Sequence, residues 1–360
     1  MIKTKYLSLI LIIGLIISGL SIAQNRTDNE QKVRQVLLLN SYHPGYFWSD
    51  SIEKEIRTKL TESGQNIELS IDYLDTKRNL GLEHLDTLAD SLAIKYKYYQ
   101  YELVIASDNN ALDFAIKNRH RLFPKVPIVF CGINNFEPEE IAGVKNITGV
   151  NESVEIDKTI QLAMEMHSGT RKLIFISSNI RNTGARNHDH LINRVVPKYS
   201  KNFEIEVLFN KTMREIEQKM TQISPDSLVF ILAHPVNKRV VDYVPADEFS
   251  RIVAENSKAA VYAPWRYFIG TGVLGGATIS GEGQGRAAAS LAVKILSGVD
   301  ADKLPVVMEP PVSIVFDYPA MVRFGLSENE IPSSSLVLNK PETFYARYNY
   351  YMWGAVAIVV

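Results

Sequence analysis

Six short segments place hydrogen-bonding and aromatic side chains directly behind apolar runs: Asn40-Ser41-Tyr42-His43, Ser107-Asp108-Asn109, Cys131-Gly132-Ile133-Asn134, Ser177-Ser178-Asn179, His234-Pro235 and Pro264-Trp265-Arg266-Tyr267. Hydroxyls, amides and rings in this mixture suit a small polar ligand with a flat or apolar part, because the polar groups fix its orientation and the rings cover its face. The candidate ligand-binding residues drawn from these segments are Ser41, Tyr42, His43, Ser107, Asp108, Asn109, Gly132, Asn134, Ser178, Asn179, His234, Trp265 and Arg266. Asp108 sits between a strand-like and a helix-like run, where a carboxylate can cap the helix or bind a ligand amine. Capping by Asp108 or Asn109 is the preferred assignment, and the two roles are compatible. Arg266 could hold a ligand carboxylate or pair with a surface acid. Within LNSYHPGYFWSDSI, Tyr42 and His43 are assigned to the cleft, Trp48 to the core and Ser49 to the cap of the next helix.

Catalytic and metal chemistry find less support. No local signature joins Cys131 to a base, so a small residue packed at a strand end describes it better than a nucleophile. His188 and His190, two apart on an expected helix, point to different faces and are assigned as solvated polar residues rather than ligands. After the strand-like ATIS, Gly281 and Gly283 begin a dinucleotide fingerprint, but Arg286 stands where its third glycine belongs, and the motif is not in a first strand-turn-helix unit. Gly270, Gly272, Gly275 and Gly276 are instead expected where the backbone crosses between lobes. No catalytic residue, metal or cofactor is assigned.

The elements that must position these segments alternate short β-rich runs with longer helical patterns, as parallel α/β layers do. Strands are expected at 35–40, 67–74, 102–107 and 126–132, with helices at 48–63, 82–99 and 109–121. The pattern then restarts with helices at 154–166, 187–199, 212–223 and 246–256 and strands at 172–178, 203–209, 227–233 and 259–263. A helix at 286–297 and a strand at 312–318 follow, before a short helix near Ala320. The fold class is α/β, with two Rossmann-like doubly wound lobes and a ligand cleft at the carboxyl ends of their strands.

With 39 basic against 40 acidic side chains and 46% hydrophobic residues, the chain is an ordinary globular protein long enough for two cores. No cationic run supplies a footprint for nucleic acid. Lys3 and Lys5 precede an apolar stretch at 6–22 and the small-residue site Ser21-Ile22-Ala23, so residues 1–23 are expected to be a signal peptide or an N-terminal anchor. One cysteine, Cys131, builds no intramolecular disulfide, and none lies near the signal sequence to take a lipid. Residues 339–349 form a polar juxtamembrane linker, and YYMWGAVAIVV at 350–360 is expected to start a transmembrane helix. That run spans about half of the roughly 30 Å hydrocarbon core.

NSYHPGYFWSDSI, YLDTKR, ASDNNALDF, LFPKVPIVFCGIN, ITGVNE, GVLGGATISGEGQG and FDYPAMVRFGL, in this order, resemble the ABC transporter substrate-binding protein family, and most closely its branch fused to sensor histidine kinases and diguanylate cyclases. The likeness runs from about residue 35 to 348. It implies a type I periplasmic-binding fold over 35–335, with lobe one at about 35–147 and 272–309 and lobe two at about 148–271 and 310–335. Some relatives bind aromatic amino acids. The resulting expectation is an extracytoplasmic, membrane-anchored sensor domain that binds a small polar, amino-acid-like ligand, with no enzymatic activity of its own. Its output module, of the histidine-kinase type, would follow residue 360, and a homodimer is among its expected partners. The alternative is a periplasmic carrier delivering solute to an ABC transporter.

Overall fold

The computed structural model describes residues 32–78, 83–179, 181–235 and 243–342, with only the backbone given for Arg181 and Asn182. The expected signal segment and membrane span, and most of the linker between 339 and 349, lie outside the described residues. Among the described residues no helix is long and apolar enough to cross a membrane.

Lobe one opens with β1 (Arg34–Asn40), α1 (Phe47–Glu62), β2 (Ile67–Tyr73), α2 (His84–Tyr96), β3 (Tyr101–Ser107), α3 (Asn109–Lys117), β4 (Ile128–Asn134) and β5 (Ile147–Glu152). Its sheet has the order β2-β1-β3-β4-β5, and every pairing is parallel. Val36 to Leu39 are fully buried, as the centre of a sheet covered on both faces requires.

The second sheet begins after α4 (Ile156–Met166). It contains β6 (Lys172–Ser177), β7 (Glu204–Phe209), β8 (Ser227–Ile231), β9 (Ala260–Tyr262), β10 (Gly275–Thr278), β11 (Ser313–Asp317) and β12 (Leu336–Leu338). Its order is β12-β11-β10-β9-β8-β6-β7, with β10 and β11 the antiparallel pair. Around it lie α5 (Arg181–His190), α6 (Met213–Met220), α7 (Ala246–Asn256) and a short α9 (Tyr318–Arg323), while α8 (Gly281–Leu296) returns to lobe one. There α8 packs along α1 and against β3, β4 and β5. The close approach depends on two glycines: a Cβ at Gly281 would lie 2.8 Å from the Trp48 carbonyl oxygen, and one at Gly285 would lie 2.5 Å from that of Ile52.

The chain therefore crosses between lobes after Glu152, between Ile279 and Gly281, and again between Val307, which bridges to Val150, and β11. The boundary expected at 147/148 falls at the start of β5, which pairs with β4 in lobe one. β10, expected in lobe one, pairs with β9 and β11 in lobe two. Two of the four glycines assigned to the crossing have other work. Gly275 and Gly276 sit inside β10, where a Cβ would meet the carbonyl oxygens of Val315 at 2.4 Å and Ala263 at 2.3 Å.

Candidate functional site

The carboxyl ends of both sheets face one cavity, lined from lobe one by Tyr42, Tyr46, Trp48, Lys77, Asp108, Asn110 and Glu152. Ser178, Thr183, Gly184, Asn187, His234, Tyr243, Trp265, Tyr267 and Phe268 line it from lobe two, together with the segment from Leu232 to Pro235. Five of the residues expected from sequence are therefore on the wall: Tyr42, Asp108, Ser178, His234 and Trp265.

Asp108 occupies the residue before α3 with φ 71° and ψ 165°, a backbone state rare outside glycine and concentrated at functional sites. Its side chain makes no capping bond to α3. The Ser41 hydroxyl accepts from the Ala111 N–H at 2.8 Å while donating to the Ser107 carbonyl at 2.7 Å, so the polar support of the helix start comes from β1. This corrects the capping assignment of Asp108 and Asn109. The Asp108 carboxylate instead accepts from the Trp48 indole at 3.0 and 3.2 Å and from the Ser107 hydroxyl at 3.0 Å. Gly132 makes room behind it, since a Cβ there would stand 3.0 Å from Asp108 Oδ1. Trp48, 4% exposed, is thus both buried and part of the site, where sequence placed it in the core alone.

A second pair mirrors the first. Glu152, the last residue of β5, accepts from the Trp265 indole at 2.7 Å. Burial pushes both acids up, Asp108 to about 7 and Glu152 well above the usual carboxylate range. The negative charge of Asp108 raises Glu152 further. Bonds from Ser107 and Trp48 and the Lys77 ammonium hold Asp108 down, while Trp265, Asn134 and Lys77 do so for Glu152. The Lys77 ammonium also lies over the rings of Tyr42, at 4.5 Å, and Tyr46, at 5.5 Å. Tyr267 completes an aromatic wall, its ring 6.1 Å from Trp48, 6.4 Å from Trp265 and 4.3 Å from Phe268.

The lobes touch around this cavity. Tyr42 Oη shares a hydrogen bond with Thr183 Oγ1 at 3.2 Å, and Tyr46 Oη with His234 Nε2 at 3.3 Å. His43, behind the wall, reaches Tyr243 Oη at 3.3 Å. Arg186 on α5 makes a two-pronged ion pair with Glu140, both contacts 2.6 Å, and also donates to the Asn134 carbonyl.

The remaining expected residues stand off the wall. Ser41 and Ser107 support Asp108 and its helix, Asn109 accepts from Thr183 at 3.4 Å, and Gly132 donates its N–H to Gln284 at 2.9 Å. Asn179 is exposed and exchanges hydrogen bonds with Asn210. Arg266 begins a short 3-10 turn and is absent from the lining, so the side chain that could have held a ligand carboxylate is not there. Cys131 is fully buried with its thiol pushed up by burial. His188 is partly buried rather than solvated, bonded to the Ser177 hydroxyl at 3.0 Å and stacked on Phe209. No group of three or more potential metal ligands occurs among the described residues.

The sequence model for ABC transporter substrate binding proteins matches residues 51–331, most of the chain. The chain belongs to that family. Its two-lobed architecture is the type I periplasmic-binding fold, shared with the ABC domain in complex with L-Trp from Streptococcus pneumoniae (TM-score 0.63, 16% identity, 85% of this chain and 99% of that one). A ligand-free, open substrate binding protein with adhesive properties from Clostridium difficile is similar at TM-score 0.60 and 18% identity, covering 86% and 99%. A conserved domain protein from Vibrio cholerae matches at 0.63 and 14%, covering 85% and 99%. No curated protein sequence matches at a significant level. Glu152, Lys77 and Tyr46 are among the lining residues outside the expected set, and Tyr267 stood in a candidate segment without being chosen. Glu152 ends a strand that residue periodicity did not reveal, and Lys77 lies in YLDTKR, noted only as a point of family likeness.

Proposed function

We propose that this family member is the extracytoplasmic sensor domain of a membrane-bound signalling receptor of the histidine-kinase type, closing its lobes over one small polar molecule with a flat or apolar part. The observation that carries the binding half is the cavity itself, which takes its two acids from lobe one and its rings from both lobes at the ends of both sheets. The L-Trp held by the pneumococcal structure supports a ligand of this size and kind. Support for the receptor half comes from sequence, namely the apolar run at 350–360 behind a polar segment and the likeness to the kinase-fused branch. The family description favours a second reading, a periplasmic carrier serving an ABC transporter. On either reading the chain binds and does not catalyse.

A thermal-shift screen of the full chain against amino acids, amines, sugars and small peptides tests the binding half, and at least one compound is expected to raise Tm by several degrees. Fractionation of cells making the chain with its native continuation tests the other. The receptor reading expects it in the membrane pellet, and release in the osmotic-shock fluid would favour the carrier.

A further inference from the structure

Resting on the reading of the cavity as a ligand site, we infer that its ligand is a net cation, an amine or ammonium group on an aromatic body with no carboxylate, seated between Asp108 and Glu152. The cavity presents two buried carboxylates, 2% exposed in each case, one at the end of β3 and one at the end of β5. Each is held in place by an indole N–H, from Trp48 at 3.0 Å and from Trp265 at 2.7 Å, so neither turns away into a salt bridge of its own. Among the described residues Lys77 is the one Lys or Arg on the lining, and its ammonium faces the same two acids and the Tyr42 and Tyr46 rings. Among the described residues the wall sets two carboxyls against one ammonium, and the upward shift of both acids marks negative charge without a full partner, which a ligand ammonium between them would stabilise in the ionised form.

A zwitterionic amino acid adds no net charge and brings a carboxylate into a cavity already rich in them. Arg266, the side chain that could have received that carboxylate, is off the wall. Burying an unpaired carboxylate beside two others is costly, whereas an ammonium between them removes an unfavourable charge from a low-dielectric site. The rings favour an organic cation over a hydrated metal ion. Trp48 and Trp265 meet the acids through their indole N–H edges, and with Tyr46 and Tyr267 they line the same cavity with rings, which attract ammonium groups and stack on flat bodies.

Isothermal titration of the full chain with matched series decides the matter: tryptamine, tryptophan and indole-3-propionate, and likewise tyramine, tyrosine and 4-hydroxyphenylpropionate. The amine of at least one series is expected to bind at least tenfold more tightly than its amino acid, with no binding of the acid. Asp108→Asn and Glu152→Gln should each weaken the amine at least tenfold. Tighter binding of the amino acid than of the amine overturns the inference and leaves the binding reading intact. So does binding of a sugar or other uncharged compound with no effect of the two substitutions. If no compound in these series or in the wider screen binds, the inference and the reading both fall.

Discussion

Two indole–carboxylate pairs built from the same chemistry behave as different parts. Trp48 and Asp108 both belong to lobe one, on α1 and at the end of β3, and they meet whatever lobe two does. Glu152 ends the last strand of lobe one, whereas Trp265 follows β9 in lobe two and bridges to Ile279 at the second crossing. One pair is preorganised within a lobe and the other spans the junction. Lobe one therefore offers a preformed acidic site, and the junction pair reports how lobe two sits upon it. A two-lobed binding protein needs this division, since a ligand shifts the closed population only through contacts made better in that state.

Four perturbations sharpen the contrast. The largest effect belongs to the intralobe pair: Trp48→Ala removes a buried side chain and strips Asp108 of a donor, at a cost of about 3–5 kcal/mol in folding stability. Chemical denaturation should show it as a lower midpoint. Next comes the pH response of Asp108, whose folded pKa is raised to about 7 by burial. A raised carboxyl contributes stability that is complete below its unfolded value and lost as pH rises through about 7. The ligand-free protein is thus expected to lose Tm between about pH 4 and 7. Asp108→Asn should remove part of that loss, raising Tm at about pH 7.5 by at least about 3 °C with little change at about pH 4. Glu152 slopes the same way, and Lys77 opposes both acids.

A smaller effect is expected at the interlobe ion pair. Arg186→Ala breaks its bond to Glu140, where both side chains keep about a quarter of their exposure, so solvent screening limits the cost to about 1 kcal/mol. Stopped-flow kinetics should show dissociation about fivefold faster with little change in folding stability. Smallest of all, His188→Ala removes the Ser177 bond and the Phe209 stack, costing stability about 1 kcal/mol and leaving affinity unchanged by titration.

Strands buried on both faces were legible, as β1, β3, β6 and β8 are continuous apolar runs with little else they could be. β5 was not, and β10 showed only its second half as the strand-like ATIS, because both carry glycine inside the strand. Gly149 leaves space for the Phe130 ring and carbonyl, which a Cβ would meet at 2.4 Å, and this requirement comes from a partner strand that no local pattern displays. Missing β5 meant missing Glu152. The start of α8 at Gly281 was placed five residues late for the same reason, since its glycines fit the surface of α1 rather than helix propensity. At the site, strand-end logic found Asp108 and Trp265 but not their partners. Trp48 and Glu152 are a helix and a strand away, and which indole meets which carboxylate is decided by tertiary packing.

The central claim is that both lobes hold one ligand in one cavity, and a double-mutant cycle measures it directly. Using the tightest ligand from the screen, affinities are compared for the unmodified chain, Asp108→Asn, Trp265→Phe and the double variant, with circular dichroism confirming that each is folded. Both single substitutions are expected to weaken binding about tenfold or more, and the double to depart from the sum by at least about 0.5 kcal/mol, because neighbours around one ligand do not act independently. If Trp265→Phe leaves affinity unchanged while Asp108→Asn abolishes it, lobe two does not touch the ligand and the shared cavity is not the binding site.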